Sequence, residues 1–455
     1  MKAEPTFSKL TEQLFLYQKL SADPLVKALA ESNRALAEEG KADAAGRTSA
    51  EPARVWDAEL RSALYELLRV SEAEGFHGNL WQCYFTRLLA SDENPFSLAC
   101  ERRTLPDGSL RALGRAECET LRALFFTDFS KMDAASFPAG FPQLLSYQRP
   151  ECAEQDDSGK TVGAKRVLAL CQALSRTDSA DAFFEVLTKF YKTYGTGIYA
   201  LANAFRVDDG KIVPVSNEQN IALSDLIGYE LQKQKLFDNT AAFCAGKPAN
   251  NVLLYGDSGT GKSTAVRAVL HQLSGEGLRL IELDRYQFSA LPRILTEIAG
   301  RGCRFLIYLD DLSFETFETE YKYLKAVIEG GANGRPENVL IYATSNRRHL
   351  IREELSDRSD MEHGEDVHRS DTLEEKLSLA SRFGLAICFT RPDRQRFYDM
   401  AIRLARKAGI SAKKLDDEAL CAEANRFVMR GGGLSGRTAR QFVDWLLGTF
   451  DFDHA

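Results

Sequence analysis

The segment GDSGTGKST, running from Gly256 to Thr264 directly after the apolar run Val252–Tyr255, constrains this chain more than any other stretch. It satisfies G-x-x-x-x-G-K-[ST] at every fixed position, in the strand-then-helix setting that the pattern requires. Gly256, Gly259 and Gly261 let the backbone take positive φ and bring successive N–H groups close to phosphate oxygens. Asp257, Ser258 and Thr260 fill the loop between them. The helix expected from Lys262 points the positive end of its dipole at the same anion. Lys262 supplies a mobile charge for β- and γ-phosphates, and the Ser263 hydroxyl, followed by Thr264, is placed to ligate Mg²⁺. The residues therefore read as a nucleotide-phosphate site, and a chance glycine-rich turn does not explain all of them together.

Downstream, FLIYL (Phe305–Leu309) ends in Asp310–Asp311. A run of apolar, β-prone residues of this length reads as a strand buried on both faces of a parallel sheet, whose carboxyl end borders the ligand crevice. Asp310 is then the Mg²⁺ partner, and Asp311 is placed to orient or polarise an attacking water. The competing explanation, a strand followed by an acidic helix cap, leaves the spacing from the phosphate loop without a reason.

The 455 residues allow two or three domains at about 150 residues each. Hydrophobic residues are 44% and charged residues 27%, an ordinary globular balance that excludes wholesale disorder or a fibrous architecture. A net charge of −7 argues against a chain-wide basic coat for nucleic acid. No apolar run approaches the ~20 residues of a membrane helix, and MKAEPTFSKLTEQ lacks the apolar core of a secretory leader. Nine scattered cysteines without a C-x-x-C fit reduced thiols. The expectation is a cytoplasmic protein with no membrane role.

Periodicity divides the chain into three. Residues 1–215 read as mainly helical, with helices over Phe7–Leu36, Ala53–Val70, Leu80–Leu89, Arg115–Phe126, Lys165–Leu174 and Ala180–Tyr194. Glu38–Pro52 is expected as an exposed linker and Gln148–Lys160 as a polar break. Near the end of this region short β-prone pieces flank a turn at Asp208–Gly210. Residues 216–390 alternate strand and helix, with strands at Asn251–Tyr255, Leu278–Leu283, Phe305–Leu309, Val339–Thr344 and Leu385–Phe389. Helices fit between them at Lys262–Leu273, Pro292–Ala299, Glu318–Gly330 and Thr372–Ser381. Residues 391–455 return to helix at Gln395–Ala408, Asp416–Met429 and Gly436–Phe450. The fold class is α/β with a parallel-sheet core between helical flanks.

The two motifs and their spacing resemble the AAA+ ATPase superfamily, a P-loop NTPase core with a C-terminal helical lid, over about Ala222 to Phe450. DDLSFE, EYKYLKAVIEGG and ATSNRRHLI resemble more closely one bacterial AAA+ family with a helical N-terminal extension, known as domain of unknown function 815. The resemblance implies that VLIYATSN (Val339–Asn346) is a sensor-1 strand whose Asn346 holds the lytic water. It implies that LASRFGLAICF (Leu379–Phe389) carries a trans-acting arginine finger, Arg382, and that LSGRTARQF (Leu434–Phe442) starts a sensor-2 helix with Arg437. In DLIGYELQKQKLFDNTAAF (Asp225–Phe243), the backbone of Ile227–Gly228 would cradle adenine. ATP, Mg²⁺ and a homo-oligomer, a ring or another nucleotide-dependent assembly, follow as expected cofactors and partner. Asp311 stands where such ATPases usually carry glutamate, so Glu315 is an alternative helper, and Ser381 replaces a frequent acidic residue. Arg347 and Arg348 are further arginines that could face a neighbour's nucleotide.

Arg352–Glu375 holds 10 acidic and 3 basic residues, which suits a solvated loop. His363, Glu365, Asp366 and His368 within it match no metal-site spacing. Residues Arg391–Arg440 carry 12 basic and 6 acidic residues, so a nucleic-acid contact stays open but is not favoured over phosphate and subunit contacts. Two function classes remain: an ATPase remodelling an unknown protein or nucleic-acid client, with a helicase-loader-like variant, and a nucleotide-gated assembly module with slow or no turnover.

Overall fold

The computed structural model describes residues 6–44, 58–103, 107–129, 141–149, 161–215, 221–312, 328, 335–346, 382–429 and 433–449. These fall into two compact units: the residues up to Asn203 together with Arg301–Cys303, and Ala204–Gly300 with the residues from Arg304 onward.

The first unit is helical. Its elements are α1 (Phe7–Glu12), α2 (Gln18–Ser21), α3 (Pro24–Ala44), α4 (Ala58–Glu74), α5 (Leu80–Ser91), α6 (Pro95–Glu101), α7 (Ser109–Phe125), α8 (Phe141–Leu145), α9 (Val162–Ser175), α10 (Ala180–Tyr194) and α11 (Ile198–Leu201). The starts are chemically marked. Asn79, Thr161 and Ser179 each accept a backbone N–H three residues on, and Asn94 and Ser97 form a reciprocal capping box with Pro95 at the first helical position. Helix α3 runs on to Ala44, so the first part of the expected Glu38–Pro52 linker is helical. Its Ala, Glu and Lys residues are strong helix formers, which a reading based on polarity overlooked.

Trp81, Phe85, Phe129 and Phe7 pack ring against ring in the core of this unit, and the Trp81 indole N–H donates to the Leu124 carbonyl. The Glu117 carboxylate lies beneath the turn between α1 and α2, where it accepts the backbone N–H groups of Phe15, Leu16 and Tyr17 at 2.8–3.0 Å. A second buried carboxylate, Glu101, accepts from Thr196, the Arg301 guanidinium and the Gly302 N–H.

The second unit is built on a seven-stranded sheet in the order β2-β1-β4-β5-β6-β3-β7. The strands are β1 (Ala204–Asp208), β2 (Lys211–Pro214), β3 (Val252–Gly256), β4 (Leu278–Glu282), β5 (Arg304–Leu309), β6 (Val339–Ser345) and β7 (Leu385–Phe389). All pairings are parallel except the β1–β2 hairpin. All seven residues of β6 and five of the six in β5 are buried. Helices α12 (Glu230–Cys244), α13 (Lys262–Leu273) and α14 (Leu291–Ile298) accompany the sheet, and α15 (Arg394–Lys407), α16 (Asp417–Met429) and α17 (Gly436–Thr449) follow it. This is the expected α/β architecture, a mostly parallel sheet with the glycine-rich loop between β3 and α13 and a helical lid packed in the same unit as the sheet.

The five strands expected between residues 251 and 389 are all present. The β1–β2 hairpin differs from the expected division at 215/216. Its turn falls at Asp209–Gly210, both with positive φ, as the sequence indicated, but β1 pairs with β4 and so belongs to the second unit. Helices expected at Glu318–Gly330, apart from Ile328, and at Thr372–Ser381 lie outside the described residues, as do Glu315, Arg347, Arg348, His363, Glu365, Asp366 and His368. Among the described residues no helix is long and apolar enough to cross a membrane.

The Glu117 arrangement yields a stability prediction. Glu117→Ala leaves three N–H groups without their acceptor, and urea unfolding should register a loss of about 2–3 kcal/mol. Glu117→Gln, which keeps one acceptor oxygen, should lose less. Equal stability of the alanine variant and wild type would show that these bonds add nothing.

Candidate functional site

Strand β3 delivers the chain into the phosphate loop at Gly256, whose φ is +130°. A Cβ there would lie 2.2 Å from the carbonyl oxygen of Phe389, the last residue of β7. At Gly261, φ +94°, a Cβ would lie 2.4 Å from the Leu226 side chain. Glycine is thus required at both positions by backbone conformation and by close approach. The loop is closed internally by the Thr260 hydroxyl, which donates to Asp257 O at 2.8 Å. Helix α13 then starts at Lys262 with no side-chain cap, and so leaves its first N–H groups for an anion.

Lys262 is 5% exposed. Its Nζ donates to Gly256 O at 3.1 Å, Asp257 O at 2.7 Å and Asn346 Oδ1 at 2.9 Å. Burial draws its pKa below the ordinary lysine value, against the opposing pull of Asp257, Asp311 and Asp310. The amide of Asn346, just past β6, also donates through Nδ2 to Asp311 Oδ1 at 2.6 Å. Lys262, Asn346 and Asp311 therefore form one hydrogen-bonded chain.

Asp310 Oδ1 accepts from three hydroxyls: Ser263 at 2.9 Å, Tyr308 at 2.7 Å and Thr344 at 2.6 Å. Partial burial pushes the Asp310 pKa up, but these bonds from Thr344, Tyr308 and Ser263, with the charge of Arg267, outweigh it and hold the value below the usual carboxylate level. Burial raises the Tyr308 pKa, so the phenol stays protonated as a donor. A serine hydroxyl beside an ionised carboxylate is a pair of hard oxygen ligands of the kind Mg²⁺ takes.

These groups border a cavity of ≈ 680 Å³, a volume in the range of small-molecule sites. Its walls are the loop Ser258–Thr264, the acidic strand end with Thr344 and Asn346, the linker residues Asp225–Ile227, Met400 and Leu404 of α15, and Arg437 and Arg440 of α17. The lid closes directly on the loop: the Arg437 N–H lies 3.4 Å from Gly259 O. Of the sequence-derived candidates, Ile227, Ser258 to Thr264, Asp310, Asp311, Asn346 and Arg437 line this cavity. Gly228, Gly256, Asp257 and Arg382 do not.

Gly228 has φ +81° and Tyr229 +60°, and the Tyr229 hydroxyl, its pKa pushed up to about 12 by burial, donates to Thr390 O at 2.7 Å. Asp257 Oδ2 accepts the Arg391 N–H at 2.8 Å. Gly228 and Asp257 thus sit in the frame of the cavity, and Arg382 lies half-buried ahead of β7.

Sequence reasoning missed Tyr308, Thr344, Asp225, Met400, Leu404 and Arg440. Two signals were available: Arg440 is one turn beyond Arg437, and Met400 and Leu404 stand at i and i+4 on one face of α15. Thr344 and Tyr308 needed the strand register.

The geometry at Gly256 makes a stability prediction. Gly256→Ala should cost about 2–4 kcal/mol through strain and the clash with Phe389 O. Gly275→Ala, where a Cβ meets nothing within 4 Å, should change stability by less than about 1 kcal/mol. Thermal unfolding of both variants checks this, and similar losses in the two would refute the close-approach argument.

The family described as "Protein of unknown function (DUF815)" matches residues 200–450. No curated protein matches the chain. Among solved structures, RuvB of Thermotoga maritima, a Holliday junction branch migration motor, is similar at 16% identity and TM-score 0.31, over 50% of this chain and 72% of RuvB. C. elegans PCH-2 is similar at 16% identity and TM-score 0.30, over 50% of this chain and 71% of its own. Because the family match covers more than half of the 455 residues, from before the first strand of the sheet to the end of the lid, this chain belongs to the DUF815 family.

Proposed function

We propose that this protein binds ATP with Mg²⁺ and hydrolyses it at an interface between copies of the chain, using the cycle to remodel a protein or nucleic-acid client. The observation that carries the reading is the convergence of Lys262, Ser263, Asp310, Asp311 and Asn346 on one cavity whose far wall is the lid helix bearing Arg437. Loop N–H groups and Lys262 would hold the β- and γ-phosphates, and Arg437 would add positive charge from the lid. Ile227, with Met400 and Leu404, would take the base, and Gly228 behind it would hold the turn that presents Ile227. Ser263 and Asp310 would hold Mg²⁺, which when bound neutralises phosphate charge. Asp311 and Asn346 would orient a water for in-line attack on the γ-phosphorus. A new P–O bond forms to the water oxygen as the bridging P–O bond to the β-phosphate breaks, and Asp311 accepts the proton. Arg382, which is outside the chain's own cavity, would serve a neighbour's nucleotide.

One observation favours a second reading, a nucleotide-gated assembly module with slow turnover. Asp311 is a methylene shorter than glutamate, and its carboxylate is already engaged by the Asn346 amide.

Steady-state ATP hydrolysis with Mg²⁺, measured against protein concentration for wild type and Asp311→Asn, separates the two. Turnover that rises with concentration and falls by about 100-fold or more in the variant supports the ATPase. Tight binding with negligible turnover at every concentration supports the gated module. Lys262→Ala should lower ATP affinity or turnover by at least about 100-fold, and unchanged activity would refute the site. Arg382→Ala should leave ATP binding within about three-fold of wild type and cut turnover only where chains associate. Full-rate hydrolysis by dispersed chains, indifferent to Arg382, would refute the trans role.

A further inference from the structure

The register Leu309↔Ala343 sets Asp310, one residue beyond the end of β5, beside Thr344 near the end of β6. Thr344 is 2% exposed, its hydroxyl meets the acidic pair, and its carbonyl meets the residue that follows the pair. The hydroxyl donates to Asp310 Oδ1 at 2.6 Å and accepts the Asp311 N–H at 2.9 Å. Its carbonyl accepts the Leu312 N–H at 2.7 Å. The chain leaving β5 is therefore caught at three successive residues by one residue of the next strand.

Two consequences follow for the acidic pair. One oxygen of Asp310, Oδ1, is fixed by three hydroxyl donors, which orients the carboxylate plane. The backbone of Asp311 is held at φ +52°, in the left-handed region that aspartate tolerates at a cost, and from there its carboxylate reaches Asn346. A threonine hydroxyl has one proton to donate and lone pairs to accept with. Here it uses both functions, on two neighbouring residues assigned different tasks.

We infer that Thr344 is a positioning residue, setting the Asp310 carboxylate for the metal and the Asp311 carboxylate for the water through a single hydroxyl. This rests on the nucleotide reading given above. Groups that orient a ligating carboxylate typically matter by about 10–100-fold in metal affinity or activity.

The test compares wild type, Thr344→Val, which keeps the shape and removes the hydroxyl, and Thr344→Ser, which restores it without the methyl. Two quantities are measured: ATP turnover across Mg²⁺ concentrations, and the affinity of a fluorescent ATP analogue with and without Mg²⁺. Thr344→Val should bind the analogue without Mg²⁺ within about three-fold of wild type, need about 3–10-fold more Mg²⁺, and turn over about 10–100-fold more slowly at saturation. Thr344→Ser should recover turnover to within about three-fold of wild type.

The inference is overturned if the valine variant keeps both its Mg²⁺ requirement and its turnover, or if serine is as defective as valine, since packing alone would then explain the loss. If wild type binds the analogue but does not turn over, equal enhancement of binding by Mg²⁺ in wild type and Thr344→Val overturns it. A selective loss of that enhancement in valine, restored by serine, supports it. If wild type binds no nucleotide with or without Mg²⁺, the nucleotide reading itself fails and this inference falls with it.

Discussion

The chemistry of the second unit rests on where β6 sits. Lying between β5 and β3, it holds the acidic strand end on one side and the phosphate loop on the other, about 4.8 Å from each neighbouring strand. A sheet with β5 directly beside β3 would leave no place for Asn346 between Lys262 and Asp311. The parallel sense matters equally, because it brings the carboxyl ends of β3, β5 and β6 to the same edge of the sheet. β5 is buried apart from Arg304, β6 throughout, and β3 apart from Tyr255, so the polar groups gather at the rim and find one another. Asp310 collects three hydroxyls and stays ionised, while Lys262 is satisfied by carbonyls and an amide.

Much of this was legible in the amino-acid pattern. Strands buried on both faces announce themselves as unbroken apolar runs, as VLLY in β3, FLIYL in β5 and VLIYA in β6 do. The phosphate loop is legible because its glycines answer to backbone conformation, a local property. The β1–β2 hairpin was visible as β-prone pieces around a turn, but not as part of the sheet. Its alternating, half-exposed residues carry no sign of a parallel partner more than seventy residues away. Thr344 and Tyr308 were illegible for a related reason. A threonine in an apolar strand looks like a β-branched filler until register puts Asp310 beside it, and Tyr308 looks like core until its hydroxyl is seen to reach Asp310, just past the end of its strand.

The helical unit shows a different economy. Its helices are marked by local caps, but its turns are held by buried side chains from far along the sequence. Glu117 reaches back about a hundred residues to the α1–α2 turn, and the Tyr17 and Tyr191 hydroxyls meet at 3.1 Å before Tyr191 donates to Leu89 O. Apolar contacts supply most of the driving force in such a core, while polar contacts of this kind discriminate among alternative packings.

The short connection from β7 to α15 ties three parts of the second unit together. Phe389 O accepts the Asp257 N–H, Thr390 O accepts the Tyr229 hydroxyl, and the Arg391 N–H donates to Asp257. Pro392 follows, and Asp393 caps the helix. Phe389, Thr390, Arg391 and Asp393 are thus engaged in turn by the phosphate loop, the linker and the helix itself. One inserted residue would put every later partner out of step, so the length of this connection is as strictly specified as any side chain in the cavity. Among the described residues the Asp209–Gly210 turn has no such ties, and it can grow into solvent. Length differences between relatives therefore belong at the hairpin, and the four residues between strand and lid admit none.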